Sequence, residues 1–225
     1  MDGAELARRI DYAFLKVTPS TRVEDLRRAV ESTEEYDFRA ICVPPVLAGT
    51  VKKNFPRIKV AAVIAYPLGL ESLAAKLFAV QEVIEQAVDE LDIVLDLFAL
   101  VNNNHAKIER EAEQLGELAS RAGVFVKAII ETPILDVEQI RWAAEVLAAS
   151  PIACVKTSTG YGREPTSLDQ VRLLKQLVGG RMQIKAAGGI KNLYDARTML
   201  DAGADIIGTS NAISIINEVR ATSTS

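Results

Sequence analysis

Eight short apolar segments rich in valine and isoleucine recur along the chain, and each is followed by a stretch long enough to hold a helix. They are IDYAFL (10–15), FRAICV (38–43), KVAAVIA (59–65), LDIVLDL (91–97), VFVKAII (124–130), PIACVK (151–156), RMQIKA (181–186) and ADIIG (204–208). Runs of this length bounded by turn signals read as buried strands. Between them, Leu73, Leu77, Val80 and Ile84 keep helical spacing, as do Ile108, Ala112, Leu115 and Ala119, and Leu168, Val171, Leu174 and Leu177. Helix starts are marked by a capping box at Thr21-Arg22-Val23-Glu24, a looser one at Asn192-Leu193-Tyr194-Asp195, and the pair Thr166-Ser167. Strand–helix alternation implies a parallel sheet, and eight units closing on themselves make a (β/α)8 barrel. An open doubly wound sheet is the alternative, but it calls for a glycine-rich turn after the first strand, where this chain has KVTPSTR. The expectation is one α/β domain, a (β/α)8 TIM barrel over residues 1–225, with a short extra helix before Ile10 and no internal linker.

Composition removes several function classes. The formal charge is −4 with acids and bases interspersed, and the lack of a basic block speaks against a nucleic-acid partner. Cys42 and Cys154 are too few and too far apart for a disulfide framework, and no CxxC or Cys/His cluster suggests a metal. His105 is the only histidine and sits in the polar stretch VNNNHAKIE. Histidine-based nucleophilic chemistry must use it or be absent, and a solvated loop position is expected for it. MDGAELARRI has no apolar signal core, and no run approaches transmembrane length. A soluble, reduced, cytoplasmic protein without a membrane partner is expected.

Charges on the strands carry the chemistry. Lys127, Lys156 and Lys185 are spaced 29 residues apart, one on each of three consecutive strand segments. Alternation across a strand groups Lys156 with Cys154, Lys185 with Gln183, Lys127 with Ile129 and Glu131, and Asp92 with Val94 and Asp96. Helices cover the outside of such a barrel, so these charges point inward, towards the C-terminal mouth. Neighbouring strands lie ~4.8 Å apart, which brings Lys156 and Lys185 together, each disfavouring the other's charge. At an effective dielectric of ~20, two unit charges ~5 Å apart repel by roughly 3 kcal/mol, about two pKa units. A neutral lysine amine is a nucleophile, and desolvation beside another cation is how Schiff-base lysines are activated. Asp92 is then a proton shuttle or counter-charge. An inert network pairing the three lysines with Asp92, Asp96 and Glu131 is the competing reading.

Glycine-rich sequences follow three consecutive strands: STGYG after the sixth, AAGGI after the seventh and GTSNA after the eighth. The last loops of such barrels, with a helix N-terminus, bind phosphate through backbone N–H groups. Thr209 and Ser210 add hydroxyl donors.

Together these segments resemble the deoxyribose-phosphate aldolase family of class I aldolases. The likeness runs from IDYAFLK through AICVPP, YPLG, DELDIVLDLFAL, VKAIIET and CVKTSTGY to KAAGGIK and GADIIGTS, and VKTSTG followed by KAAGGI is its most specific part. The resemblance implies a Schiff base between Lys156 and the carbonyl of acetaldehyde or 2-deoxyribose 5-phosphate. Lys185 would lower the pKa of Lys156 and share a proton relay with Asp92. Gly160, Gly188, Gly189, Gly208 and Ser210 would hold the phosphate, with Asp11, Cys42 and Lys127 near the substrate pocket. It implies no metal or organic cofactor, a sugar phosphate and an aldehyde as small-molecule partners, and a homo-oligomer, dimer or tetramer.

The chain departs from the family pattern in places. Tyr12 and Ala13 stand where His-Thr is common, Ala65-Tyr66-Pro67 replaces Asn-Phe-Pro, Asp96 replaces an asparagine, and Asn211-Ala212 replaces Ser-Gly. ATSTS closes the sequence in place of a tyrosine-ended tail that some members use as a proton donor. Cys42 falls where some members carry an aldehyde-reactive cysteine, although a small core residue reads equally well. Two alternatives stay open: another Schiff-base aldolase or transaldolase-like barrel, and a non-catalytic sugar-phosphate-binding barrel.

Overall fold

The eight apolar segments pair in parallel and in chain order, and the last closes on the first, so the sheet has no edge. The computed structural model describes residues 1–223. The strands are β1 (Ile10–Ala13), β2 (Ala40–Val43), β3 (Val60–Ile64), β4 (Glu90–Val94), β5 (Phe125–Ile129), β6 (Cys154–Lys156), β7 (Gln183–Ala187) and β8 (Ile206–Thr209). Register runs from Asp11 opposite Ala40 round to Asp11 opposite Gly208, which closes the (β/α)8 barrel. The helices are α1 (Gly3–Ala7), α2 (Val23–Glu35), α3 (Pro45–Asn54), α4 (Leu73–Glu85), α5 (Leu97–Val101), α6 (His105–Arg121), α7 (Val137–Ala148), α8 (Leu168–Val178), α9 (Leu193–Asp201) and α10 (Ala212–Ser223). Their apolar stripes, such as Ile108, Ala112 and Leu115 on α6 or Val171 and Leu174 on α8, are buried against the outer face of the sheet. A separate small cluster of Cys42, Ala61 and Val63 packs beneath Leu15 and Tyr66. Among the described residues no helix is long and apolar enough to cross a membrane.

Local chemistry sets the boundaries. Ser167 and Gln170 form the capping box of α8, and Asn192 accepts the Asp195 N–H at the start of α9. The box expected at Thr21 is shifted by one residue: α2 is capped at Arg22, whose N–H donates to Asp25, while Thr21 Oγ1 accepts from Thr18 N–H. His105 opens α6 rather than lying in a loop, and it stacks on Trp142 with ring centroids 4.2 Å apart. The segment read as a strand to residue 97 leaves the sheet at Val94. Its apolar character continues because α5 buries Leu97, Ala99 and Leu100. Asp96 therefore faces no barrel interior. It caps α5 by accepting the Ala99 N–H, and its second oxygen pairs with Lys107.

Outside the barrel, a buried ion pair fixes this exit from β4. Lys76 on α4 donates to Glu111 on α6 at 2.8 Å and to the Val94 carbonyl at 3.0 Å. The other Glu111 oxygen accepts the Asp96 N–H at 2.9 Å. Glu131 also departs from the strand parity. It stands two residues past β5 in the left-handed region (φ 54°) and turns its carboxylate to Ser158 Oγ and Thr159 N–H, both at 2.7 Å. The closing segment ATSTS includes residues 224 and 225, which lie outside the described residues.

Candidate active site

Strands β4 to β7 each place a charged side chain inside the barrel, and Asp92 is their meeting point. Its Oδ2 accepts from Lys156 Nζ at 2.8 Å and from Lys185 Nζ at 2.7 Å, and its Oδ1 accepts from Lys127 Nζ at 2.8 Å. Lys185 reaches Asp11 Oδ2 on β1 at 2.6 Å, and Lys127 reaches Glu90 Oε2 at 2.5 Å. Arg39, just before β2, closes the network from below with 2.8 Å bonds to Asp11 and Glu90. Asp96 and Glu131 are not members, so the competing network of lysines with those two carboxylates is not what forms.

Burial acts against every charge here, and the partners decide the outcome. Desolvation opposes ionisation of Asp92, but Lys127, Lys156 and Lys185 outweigh it and hold the carboxyl well below the ordinary range. Asp11 is likewise desolvated, yet Lys185, Lys127 and Arg39 bring it to about 2. Burial also penalises the Lys185 ammonium, but Asp11 and Asp92 raise its pKa well above the usual lysine value. Lys185 is thus held as a cation by its two carboxylates, against the expectation that the neighbouring lysine would disfavour its charge. Lys127 is raised in the same way. Cys42, 3.7 Å from Asp92, is pushed up to about 12 by burial and that carboxylate, so it is a thiol rather than a thiolate.

Counting charges among the described residues sharpens the picture. Arg39, Lys127, Lys156 and Lys185 are four cationic side chains set against three carboxylates, Asp11, Glu90 and Asp92. Arg39, Lys127 and Lys185 each contact two or more of those carboxylates, whereas Lys156 touches only one oxygen, shared with Lys185. Lys156 also faces the cavity at the mouth, as do Lys185 and Cys42, while Lys127 and Asp11 lie beneath it. The latter two are floor, not pocket wall.

The far side of the cavity is backbone. Gly188 (φ 95°) and Gly189 (φ 83°) hold conformations open to glycine, and a Cβ would strike Ser158 Oγ at 2.8 Å or Pro165 Cβ at 2.4 Å. Their N–H groups make no hydrogen bond among the described residues. Ser210 is exposed at the cavity, two residues before α10 begins. Two expected donors are occupied: Gly160 N–H donates to Ser158 Oγ at 3.1 Å, and Thr209 Oγ1 donates to the Ile190 carbonyl at 2.7 Å. Gly208 serves Lys185 instead, because a Cβ there would meet Lys185 Cε at 2.8 Å. Sequence reasoning missed Lys16 and Lys191, which reach the rim, and Arg39. The signal available was a charged residue close to a strand end in each case.

A cavity-facing lysine amine with a single carboxylate contact, opposite free backbone donors, is the arrangement that a barrel enzyme of the Schiff-base aldolase class needs. Comparison with known proteins gives the particular family. The chain is 35% identical over 224 residues to the deoxyribose-phosphate aldolase of Thermococcus gammatolerans, covering 98% of this chain and 99% of that one. It is 36% identical over 221 residues to the deoxyribose-phosphate aldolase of Thermococcus kodakarensis, covering 96% and 97%. Among solved structures, an aldolase described as QR15 superposes with a TM-score of 0.91 at 34% identity, with 98% of each chain covered. A tetrameric deoxyribose phosphate aldolase from Aeropyrum pernix gives 0.89 at 32% identity, covering 98% of this chain and 93% of that one. No family model matches. The chain belongs to the deoxyribose-phosphate aldolase family.

Proposed function

We propose that this protein is a class I aldolase that cleaves 2-deoxy-D-ribose 5-phosphate reversibly to D-glyceraldehyde 3-phosphate and acetaldehyde, with Lys156 as the Schiff-base residue. The observation that carries the assignment is the charge excess at Lys156, the cavity-facing amine with one shared carboxylate contact. Its nitrogen adds to the C1 carbonyl of the open-chain sugar, and loss of water leaves a protonated imine. Removal of the 3-hydroxyl proton then lets the C2–C3 bond break, its electron pair moving into the imine to form an enamine. C3 leaves as the aldehyde carbon of glyceraldehyde 3-phosphate. Protonation of the enamine at C2 and hydrolysis release acetaldehyde and return the amine.

Asp92 and Lys185 serve the proton transfers. Asp92 stays ionised between Lys156 and Lys185 and stabilises the positive charge that builds as protons pass through water between Lys185 and the substrate. The phosphate fits the N–H groups of Gly188 and Gly189, Ser210 and the first turn of α10, with Lys16 and Lys191 at the rim. Gly160 and Gly208 contribute close approach rather than donors. Ala13 and Tyr66 line the cavity where the family pattern carries Thr and Phe, which favours a second reading, the same chemistry on a different sugar phosphate. The tetrameric relative supports a homo-oligomer, and two buried free cysteines suit a reducing cytoplasm.

Borohydride reduction in the presence of acetaldehyde tests the assignment. Peptide mapping is expected to find a reduced two-carbon adduct on Lys156 and none on Lys127 or Lys185; an adduct on either of those means the wrong nucleophile. Comparing acetaldehyde with dihydroxyacetone phosphate as donor separates the two readings of the substrate.

A further inference from the structure

Arg39 lies at the end of the barrel opposite the cavity, where conserving the fold rather than the chemistry is the ordinary role of a side chain. It precedes β2, its N–H donates to the Ile10 carbonyl at 2.9 Å, and its guanidinium, 17% exposed, closes the barrel floor over the Phe125 ring. A surface depression containing Arg8, Asp37, Arg57 and Lys59 surrounds its outer edge, with Arg8 already paired to Asp37. Inside, it grips both carboxylates of the lower layer, Asp11 and Glu90.

The charged and titratable groups facing this interior come from six strands or their ends. They are Asp11 from β1, Arg39 and Cys42 from β2, Glu90 and Asp92 from β4, Lys127 from β5, Cys154 and Lys156 from β6, and Lys185 from β7, while Lys16, Tyr66 and Lys191 face Lys156 from the loops across the cavity, with no ion pair to this network. Inside the barrel β3 offers Ala61 and Val63, and β8 offers Gly208. Both cysteines are buried thiols, so they leave the balance of three carboxylates against four cations unchanged. Take away Arg39 and three carboxylates face three lysines. Lys156 would then be needed as the third ammonium ion.

We propose that Arg39 is a positioning residue for Lys156: its permanent charge satisfies Asp11 and Glu90 from below, leaving Lys156 as the surplus cation that can give up its proton. The influence passes along Arg39–Glu90–Lys127–Asp92–Lys156, every link a contact of 2.8 Å or less. A guanidinium suits the position because it stays protonated at any working pH and has donors enough to hold two carboxylates at once. The proposal rests on Lys156 being the nucleophile.

The pH dependence of kcat/KM for deoxyribose 5-phosphate cleavage tests it. Arg39→Gln is expected to move the acidic limb upward by about one pH unit, with ~10-fold loss at pH values below the limb and recovery above it. Borohydride trapping of acetaldehyde should slow and recover over the same range. Arg39→Lys should keep the limb in place, because the charge is retained. Glu90→Gln removes an anion and should move the limb downward, and the double variant should bring it back. That arm decides alone if Arg39→Gln does not fold. An acidic limb that stays put in folded Arg39→Gln, or in Glu90→Gln, overturns the proposal and leaves Arg39 a stopper. Mapping the trapped adduct in the unaltered enzyme separates the two ideas. An adduct on another lysine sinks the assignment of the nucleophile and this proposal with it, whereas an adduct on Lys156 with an unmoved limb sinks this proposal alone.

Discussion

Two sets of buried charges meet strand β4, one on each side of the sheet, and they are built differently. Outside, Lys76 and Glu111 match one to one, and their other hydrogen bonds go to backbone at Val94 and Asp96. Inside, four cations share three carboxylates, and the least satisfied of them faces a cavity. Both sets are more than nine-tenths buried at their lysines and carboxylates. Burial of charge therefore does not separate a structural clasp from a reactive centre. Imbalance and access to a cavity do.

The largest effect expected from breaking the comparison is chemical. Lys156→Leu should abolish cleavage, by at least ~10⁴-fold in kcat, since no other group supplies the electron sink. It should not lower the melting temperature, because Asp92 keeps Lys127 and Lys185 and the excess charge is gone. A large drop in thermal stability would show that the inner network is a clasp like the outer one.

Next comes Lys185→Leu, expected to cost ~10²–10³-fold at neutral pH. If Lys185 works through its fixed positive charge, the loss shrinks as pH rises and the acidic limb moves upward. If it works as a relay, activity stays low at every pH.

The outer pair should respond in stability. Lys76→Met leaves a buried carboxylate without its cation, at a cost of about 3–5 kcal/mol. A chain of this size loses roughly 2–4 °C per kcal/mol, so calorimetry should see a fall of about 6–20 °C, with kcat of the folded enzyme little changed. Lys76→Met with Glu111→Leu should recover part of it. The Asp96 N–H then lacks its acceptor, which holds back about 1–3 kcal/mol. Full recovery would mean that this N–H contributes nothing.

The smallest effect is in acid. Asp11 and Asp92 have depressed folded-state values, so their stabilisation is present above the unfolded pKa of ~3.9 and is lost as pH falls through the folded values. Denaturant midpoints should therefore drop between pH 4 and pH 2 and below. Asp11→Asn should be less stable at pH 6, and its deficit should shrink by roughly 2 kcal/mol on the way down to pH 2. A constant deficit would show that Asp11 contributes by packing alone.

Much of this was legible before any coordinates. Eight apolar runs alternating with stretches of 3.6-residue period pointed to the barrel, and strand parity turned Lys127, Lys156, Lys185 and Asp92 inward together. Parity stops at the last strand residue, and the failures begin there. Asp96 and Glu131, each just past a strand end, swing to backbone donors that no spacing rule foretells. Short apolar α5 continues the pattern of β4, so its start was invisible in hydrophobicity alone. Glycine-rich segments marked the backbone-lined side of the cavity, but which N–H groups stay free depends on hydroxyls such as Ser158 and Thr209 choosing partners in three dimensions. Arg39 escaped notice because a charge at the start of a strand ordinarily faces water.

Gly208 carries a constraint on sequence as well as on shape. A methyl group at that position would lie 2.8 Å from Lys185 Cε and 2.9 Å from Ala187 Cβ. Any single step from glycine at 208 therefore strains the barrel, and shortening residue 185 relieves only one of the two contacts while giving up the ammonium that bridges Asp11 and Asp92. The positions are interlocked: a side chain at 208 needs matching changes at both 185 and 187.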